Sequence, residues 1–246
     1  DGHREGAGGT NVVGHLALGW SPSRRFRLVL RDRVAHLSGE DPGPVTHPNH
    51  GHWYDVWRNT VSLRATYRLH WLELAITPFL NVGVHRLYDG FHSTDFVSGG
   101  SLESTFRLHD RVRLLAGFQL IGVAGEVEDR SGGEQLEVRG NTSLALYQHL
   151  DARPWPWLRI IAGVRELWNS EYGFALLYKG GLRVLLPRGF SLRARVARNY
   201  RQPTIRELYL PFPTANPDLR PEYSLNIDLG CSATIGPVEI SVSGYR

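Results

Sequence analysis

The sequence lacks several features that mark familiar protein classes. It has one cysteine, Cys231, and no methionine among its 246 residues. A single thiol excludes an internal disulfide and a cysteine-based zinc site. Cys231 stands at an apolar position of an alternating segment, which predicts a small hydrophobic role. No apolar run is long enough for a transmembrane helix.

The chain also lacks a large excess of positive or negative charge. The chain has 28 Lys and Arg against 24 Asp and Glu, a formal net charge of +4. This excess is small, and no RNA- or DNA-binding motif accompanies it, so no nucleic-acid partner is expected. The sequence has no Ser-His-Asp order, phosphate loop or dinucleotide fingerprint. We therefore expect no enzymatic activity and no cofactor.

What the chain has in abundance is two-residue periodicity. About twelve segments alternate apolar and polar residues, and none is convincingly helical. In the segment 57–69, the even positions include Arg58, Arg64 and Arg68, while most odd positions are apolar. Transmembrane barrels hide their apolar band in such alternation. The parity predicts one outward and one inward set. The outward set is Leu63, Leu74, Ile160, Leu192 and Ile227, and the inward set is Arg64, Glu73, Arg159, Arg193 and Asp228.

Connections between the segments alternate between short and long. Alternate connections of an up-and-down sheet lie at the same end, so one end is predicted to carry tight turns and the other long loops, as in outer-membrane barrels. The expected short turns lie near residues 21–23, 70, 109–110, 151–154, 187–189 and 235–237. The expected long loops span 38–53, 86–97, 125–135, 166–173 and 201–221.

Six tryptophans lie at or near predicted strand ends, where a membrane interface favours indole rings. They are Trp20, Trp53, Trp57, Trp71, Trp155 and Trp157. Together these patterns predict an all-β chain, an antiparallel up-and-down transmembrane β-barrel segment of about twelve strands. A soluble β-protein is the alternative that alternation by itself leaves open.

Two linked motifs occupy the longest predicted loop. The first is Arg201-x-Pro203-Thr204-x-x-Glu207-Leu208-Tyr209, and the second is Asn216-Pro217-x-Leu219-x-Pro221-Glu222, with an alternating strand after it. In this order and spacing they resemble a signature of TonB-dependent outer-membrane receptors. The segments 157–165, 169–173 and 181–182 are similar to that family as well.

The resemblance implies that residues 1–246 are a partial TonB-dependent receptor β-barrel domain. Family members have an N-terminal plug followed by a barrel of about twenty-two strands. This sequence shows neither a plug nor the remaining strands, and it begins without methionine. We therefore expect an open fragment of a larger barrel. A closed small barrel, acting as a passive porin, is the alternative.

The implied function is uptake of a scarce, large nutrient across the outer membrane of a Gram-negative bacterium. Ferric siderophores, haem, cobalamin and some glycans are typical ligands of the family. The TonB complex supplies energy through the plug, and outer-membrane lipid surrounds the barrel. The resemblance implies no covalent chemistry.

Loop side chains are the predicted ligand contacts, because aromatic rings can stack on a chelate and arginines attract anionic groups. These candidates are Arg201, Arg206, Tyr209, Phe212, Tyr88, Phe91, Trp168 and Tyr172. A second set is expected to anchor the signature loop, since its prolines stiffen the chain and its glutamates can pair with arginines. This set is Pro203, Glu207, Asn216, Pro217, Pro221 and Glu222.

A histidine-rich loop is the remaining candidate. His47, His50 and His52 lie within six residues of one another, and imidazoles can bind a transition metal or an axial position of haem. Their spacing matches no familiar zinc pattern. Polar surface without a ligand is the other interpretation.

Overall fold

The alternating segments form strands in a computed structural model, which describes residues 4–129, 134–204, 207–208 and 216–246, with backbone only for 129 and 134–139. The twelve strands are β1 Gly9–Trp20, β2 Phe26–Glu40, β3 Trp53–Arg68, β4 Leu72–Leu87, β5 Phe91–His109, β6 Val112–Asp129, β7 Glu134–Trp155, β8 Leu158–Asn169, β9 Gly173–Leu185, β10 Phe190–Arg201, β11 Glu222–Ile235 and β12 Val238–Tyr245. The predicted strand number and all-β class are confirmed.

Helical structure is minor in the described part of the chain. A short 3-10 turn covers Pro187–Gly189, and Glu207 and Leu208 are helical. Among the described residues, no helix has the length and apolar character needed to cross a membrane.

The strands form one sheet in chain order, from β1 to β12. Connections as short as two residues join only antiparallel neighbours, which makes the sheet an up-and-down meander. In the described ranges, β1 pairs with β2 alone and β12 pairs with β11 alone. The closed twelve-stranded barrel considered from the sequence is therefore not formed, and the predicted open sheet is confirmed.

Cross-strand contacts between β3 and β4 agree with the predicted parity of polar and apolar residues. On the polar face, Arg64 donates to Thr77 at 3.1 Å, and Arg68 donates to Glu73 at 2.8 Å. Side chains that bond across neighbouring strands must share a face. Leu192 and Ile227, which were predicted to lie on the apolar face, are 48% and 42% exposed.

The apolar face remains uncovered by protein. Large hydrophobic side chains along β1, β4, β10, β11 and β12 are exposed, among them Leu18, Ile76, Leu192, Leu229 and Val242. In water, a contiguous apolar surface of this kind is an aggregation hazard. A sheet that exposes an apolar surface along successive strands is compatible with an apolar environment, such as lipid, on that face.

Three of the five predicted long loops are mostly strand, with only a short connection between neighbouring strands. The predicted lengths of these loops were therefore wrong. The connection after β4 is residues 88–90 rather than 86–97, and the connection after β8 is residues 170–172 rather than 166–173. About 9–11 residues suffice to cross a bilayer, so strands of 16 residues or more, such as β4 and β5, continue beyond it. The polar residues of those extensions led to the prediction of loops where the strands continue.

Two further boundaries shift for the same reason. Strands β6 and β7 extend into the predicted loop 125–135, and β7 continues through Trp155, past the turn expected at 151–154. A register irregularity between Ala152 and Trp155 accommodates Pro154. Of the connections between these twelve strands, only 41–52 and 202–221 are long, and both follow even-numbered strands, as predicted.

The chain consists of two compact units. The first comprises Asp1–Thr66, Ile76–Gly100 and Ile121–Thr142, and the second comprises Tyr67–Ala75, Ser101–Leu120 and Ser143–Arg246. The second contains a small buried cluster of Ala145, Leu167 and Ala175, against which Tyr200 packs.

Candidate functional site

The connection between β10 and β11, residues 202–221, is held by an ionic network at its base. Arg201 ends β10 and Glu222 begins β11, and the two residues are opposite each other in the strand register. Arg201 Nη1 donates to Glu222 Oε1 at 3.3 Å, and Arg201 Nη2 donates to Glu207 Oε1. One guanidinium therefore ties both strand ends to the loop.

A reciprocal cap follows directly after this ion pair. The Thr204 backbone N–H and hydroxyl each donate to Glu207 Oε2 at 2.9 Å. The Glu207 N–H in turn donates to Thr204 Oγ1 at 3.3 Å. Thr-x-x-Glu is the capping-box pattern, in which two residues satisfy each other's free backbone donors at the start of a helical turn.

These contacts favour the charged form of Glu207. Hydrogen bonds from the backbone of Thr204 and from the side chains of Arg201 and Thr204, with the charge of Arg201, lower the pKa of Glu207 to about 2. Each donor stabilises the carboxylate over the neutral acid. Glu207 is therefore anionic throughout the physiological pH range.

A buried leucine and a chain-closing hydrogen bond complete the anchor. Leu208 is only 1% exposed, and its N–H donates to Thr204 O at 3.1 Å. The Asn216 N–H donates to Glu207 O at 3.0 Å, which joins the two ends of the connection. Asn216 Oδ1 also accepts from the Asp218 N–H at 3.0 Å, forming a local turn around Pro217.

Asn169, at the end of β8, links this anchor to the neighbouring turn. It is 1% exposed, and its Nδ2 donates to Ser143 Oγ at 2.8 Å and to Gln202 Oε1 at 3.2 Å. Its Oδ1 accepts from the N–H groups of Glu171 and Tyr172. Asn169 was not among the predicted site residues, although an Asn directly before a short turn signals this capping role.

The predicted anchor residues thus lie together at the base of the connection. Glu207, Glu222 and Asn216 make the bonds described above, and Pro203 is buried beside them. Pro217 lies within the turn, and Pro221 directly precedes β11. Arg201, predicted as a ligand contact, has its guanidinium occupied by two carboxylates, so its position is that of an anchor. Its ligand-binding role stays a prediction.

The other predicted ligand contacts are dispersed. Arg206, Tyr209 and Phe212 fall outside the described residues. Trp168 is 49% exposed on the apolar face of β8, opposite Phe174, where an interfacial aromatic is expected. Tyr172 lies in the turn that Asn169 caps.

Tyr88 and Phe91 lie at the β4–β5 turn. Tyr88 stacks on His52 with ring centroids 3.6 Å apart, and Phe91 meets His85 edge-on at 5.9 Å. The turn itself contains Asp89 and Gly90, and Gly90 adopts a left-handed φ of 89°. Asp-Gly is a strong hairpin signal, and it marks the turn that the sequence prediction had extended into a loop.

The histidine loop does not form a metal centre in this geometry. Across the described residues, no group of three or more His, Cys, Asp or Glu side chains is placed to hold a metal ion. His52 stacks on Tyr88, and the His47 N–H donates to Pro44 O at 3.1 Å. Metal or haem binding by His47, His50 and His52 therefore has no geometric support and stays a prediction.

The sequence of this two-faced meander and its anchored connection matches a known family. The model of the TonB dependent receptor-like, beta-barrel family matches residues 8–246. The chain belongs to this family. Its members are transport receptors rather than enzymes, and TonB-dependent receptor barrels of Gram-negative bacteria are outer-membrane proteins. No curated protein matches the sequence.

Solved structures support the same fold for this TonB-dependent receptor-like barrel. A siderophore receptor, PirA from Pseudomonas aeruginosa, aligns with a TM-score of 0.80 and 13% identity, covering 96% of this chain and 45% of that one. The copper transporter OprC aligns at 0.75 with 15% identity, covering 96% and 45%. The RagAB peptide importer aligns at 0.70 with 13% identity, covering 97% and 40%. The chain thus spans less than half the length of these structures, and the likeness shows the fold.

Proposed function

We propose that this barrel domain, residues 1–246, serves an outer-membrane receptor that takes up a scarce, large nutrient of the ferric siderophore, haem or cobalamin type. The TonB complex supplies the energy through a plug domain, and outer-membrane lipid covers the apolar face. The observation that carries the proposal is the family match over residues 8–246. The protein binds and moves its ligand without covalent chemistry.

The architecture supports this function physically. A sheet with one apolar and one polar face separates lipid from an aqueous path. The named structural neighbours handle a siderophore, copper and peptides, so the barrel fold serves several cargo classes. Siderophore, haem and cobalamin are proposed because they are typical ligands of the TonB-dependent receptors whose signature the connection 202–221 resembles.

The anchored connection is proposed to present the ligand contacts. Its base is held by the pairing of Arg201 with Glu207 and Glu222 and by the burial of Leu208. A preorganised base lowers the entropy cost of ordering a binding segment. Arg206, Tyr209 and Phe212 follow in the same connection and supply a charge and two aromatic rings.

Uptake by whole cells tests the proposal. The native host would be compared with a strain lacking the gene and with one lacking TonB, using iron-labelled catecholate and hydroxamate siderophores, haem and cobalamin as probes. We expect accumulation of one probe class only when both the gene and TonB are intact. Gene-dependent accumulation that persists without TonB would show a passive porin instead.

A further inference from the structure

The polar face of β8, β9 and β10 carries a row of arginines with unusual pairing. Arg159 is directly opposite Arg183, and Arg183 is directly opposite Arg193. We call these three residues the basic ladder. Neighbouring strands are about 4.8 Å apart, and like charges directly opposite each other destabilise a sheet. An arrangement of this kind favours an anion between the guanidiniums.

One end of the ladder is neutralised and the other is not. Asp151 accepts from Arg159 Nε at 3.0 Å and from Arg159 Nη2 at 2.8 Å, so Arg159 is occupied. Among the residues that the structure describes, the side chains of Arg183 and Arg193 make no hydrogen bond or ion pair. The uncompensated charge is therefore centred between Arg183 and Arg193.

Some arginines elsewhere on the polar face are paired with acidic or amide side chains. Arg58 on β3 donates to both carboxylate oxygens of Asp95 at 2.9 Å and to Asn81 at 2.6 Å. Arg68 pairs with Glu73 at 2.8 Å. Arginines of this face can thus pair with acidic or amide side chains on neighbouring strands. Within the described residues, Arg183 and Arg193 of the basic ladder have no such partner.

Small residues clear space in front of the ladder. A cavity of about 550 Å³ is lined by Arg159, Arg183 and Arg193 together with Gly180 and Gly181. Arg193 lies over Gly230, where an added Cβ would come within 2.5 Å of its Nε. A side chain at Gly230 would displace the guanidinium, so this glycine permits the position of Arg193.

A histidine lies beside the same cavity. His149 lines it, and within the described ranges its Nδ1 atom is buried without a hydrogen-bond partner. An unpaired buried polar atom has a desolvation cost unless a ligand or water bonds to it. Lys179 and Arg195 also line the cavity and add two further cations.

We propose that the basic ladder binds a multivalent oxyanion, a small molecule that carries phosphate or carboxylate groups. One oxyanion group would be held between Arg183 and Arg193, since guanidiniums accept such groups bidentately. Its second charged group would extend towards Lys179 and His149, away from Asp151. The site is independent of which nutrient the receptor transports, and its test involves no uptake.

Direct binding to the full-length receptor, purified in detergent, tests the site. Pyrophosphate is the phosphate probe and citrate the carboxylate probe, each titrated calorimetrically at constant ionic strength set with chloride. We expect saturable binding by the unmodified receptor. In the Arg183→Gln/Arg193→Gln double variant we expect affinity to fall by about a hundredfold, roughly tenfold for each lost charge-assisted contact.

The matched control is Arg188→Gln/Arg220→Gln, which removes the same charge outside the cavity. It should bind within about twofold of the unmodified receptor, since long-range charge effects are screened by salt. The charge-preserving variant Arg183→Lys/Arg193→Lys should bind with intermediate affinity because lysine cannot donate bidentately. An equal loss in the control variant would show a nonspecific charge effect and overturn the site.

Thermal stability supplies a second, independent readout. Without anion, Arg183→Gln/Arg193→Gln should melt at or above the temperature of the unmodified receptor, because a like-charge contact is removed. With pyrophosphate, only the unmodified receptor should gain stability. No saturable binding by the unmodified receptor would refute the proposal. A lower anion-free melting temperature of the variant would indicate that an acidic protein segment occupies the ladder, which also refutes it.

Discussion

The two long connections of the sheet, residues 41–52 and 202–221, are held in place by different chemistry. In the first, the Arg4 guanidinium donates to the backbone carbonyls of Pro42, Gly43 and Pro44 at 2.5–3.0 Å. In the second, the Arg201 guanidinium pairs with the carboxylates of Glu207 and Glu222. Both use one arginine, but only in the second does that arginine pair with carboxylates, and a buried leucine lies in the same connection.

The two connections therefore differ in whether their arginine contacts backbone carbonyls or particular acidic side chains. The carbonyls that Arg4 contacts carry no titratable charge. The network around Arg201 instead requires two particular glutamates and the Thr204 cap. We infer that residues 202–221 have a defined base, which suits a connection that presents ligand contacts.

Truncation of Leu208 should have the largest effect on the anchored connection. Leu208 is 1% exposed, and Leu→Ala at a buried site costs about 2–5 kcal/mol. Hydrogen exchange of residues 202–208 should accelerate accordingly, with no change in 41–52. Leu219→Ala is the matched control, because Leu219 is 37% exposed and should lose less than about 1 kcal/mol. Equal effects of the two changes would contradict a buried anchor.

Removal of the Arg201 charge should have the next largest effect. Arg201→Gln leaves Glu207 and Glu222 without their shared cation, and exposed ion pairs of this kind stabilise less than a buried leucine does. A spin label in the connection 202–221 should show increased mobility. Arg220→Gln removes a charge from the same connection and should leave the label unchanged. Loss of order in both variants would point to net charge rather than to pairing.

Acid should distinguish the two connections. Glu207 has a pKa of about 2 when folded, below its ordinary value of 4.5, so its contribution to anchoring is complete above pH 4.5 and is lost as the pH falls towards 2. Label mobility at 202–221 should rise across that window in the unmodified receptor. Glu207→Gln should already be mobile at pH 7 and insensitive to acid. A transition near neutral pH would contradict this assignment.

Loss of the His52–Tyr88 stack should have the smallest effect. An aromatic pair contributes about 0.5–1.5 kcal/mol beyond burial, and the rings are 3.6 Å apart. His52→Ala should loosen residues 41–52 slightly in hydrogen exchange without affecting 202–221. His47→Ala is the control, since its ring forms no such stack within the described residues. A strong effect of zinc on exchange in this loop would instead revive the metal hypothesis for His47, His50 and His52.

Strand parity was predictable because alternation is a local property. Arg64, Glu73 and Arg159 lie on the polar face as expected, since a two-residue period leaves only one choice of face once one strand is assigned. The family signature likewise located the anchored connection, and its Thr204–Glu207 spacing contained a capping box that was not identified.

Strand ends were less predictable for a physical reason. Polar residues at 86–97 and 166–173 follow the apolar band, and outside a bilayer a paired strand needs no apolar face. The Asp89-Gly90 turn and the Asn169 cap determine where those strands end. Long-range contacts such as Asn169 with Gln202, and the basic ladder, depend on register between strands, which the residues of one strand do not determine.

Equilibrium binding of the transported ligand to intact cells tests most directly whether the anchored connection presents the ligand contacts. Surface protein would be quantified in parallel for Arg206→Ala, Tyr209→Ala and the triple change His47→Ala, His50→Ala and His52→Ala. We predict losses of about 1–3 kcal/mol for each of the first two changes and unchanged affinity for the triple change. Unchanged affinity in the Arg206 and Tyr209 variants, with a loss in the histidine variant, would contradict this role of the anchored connection.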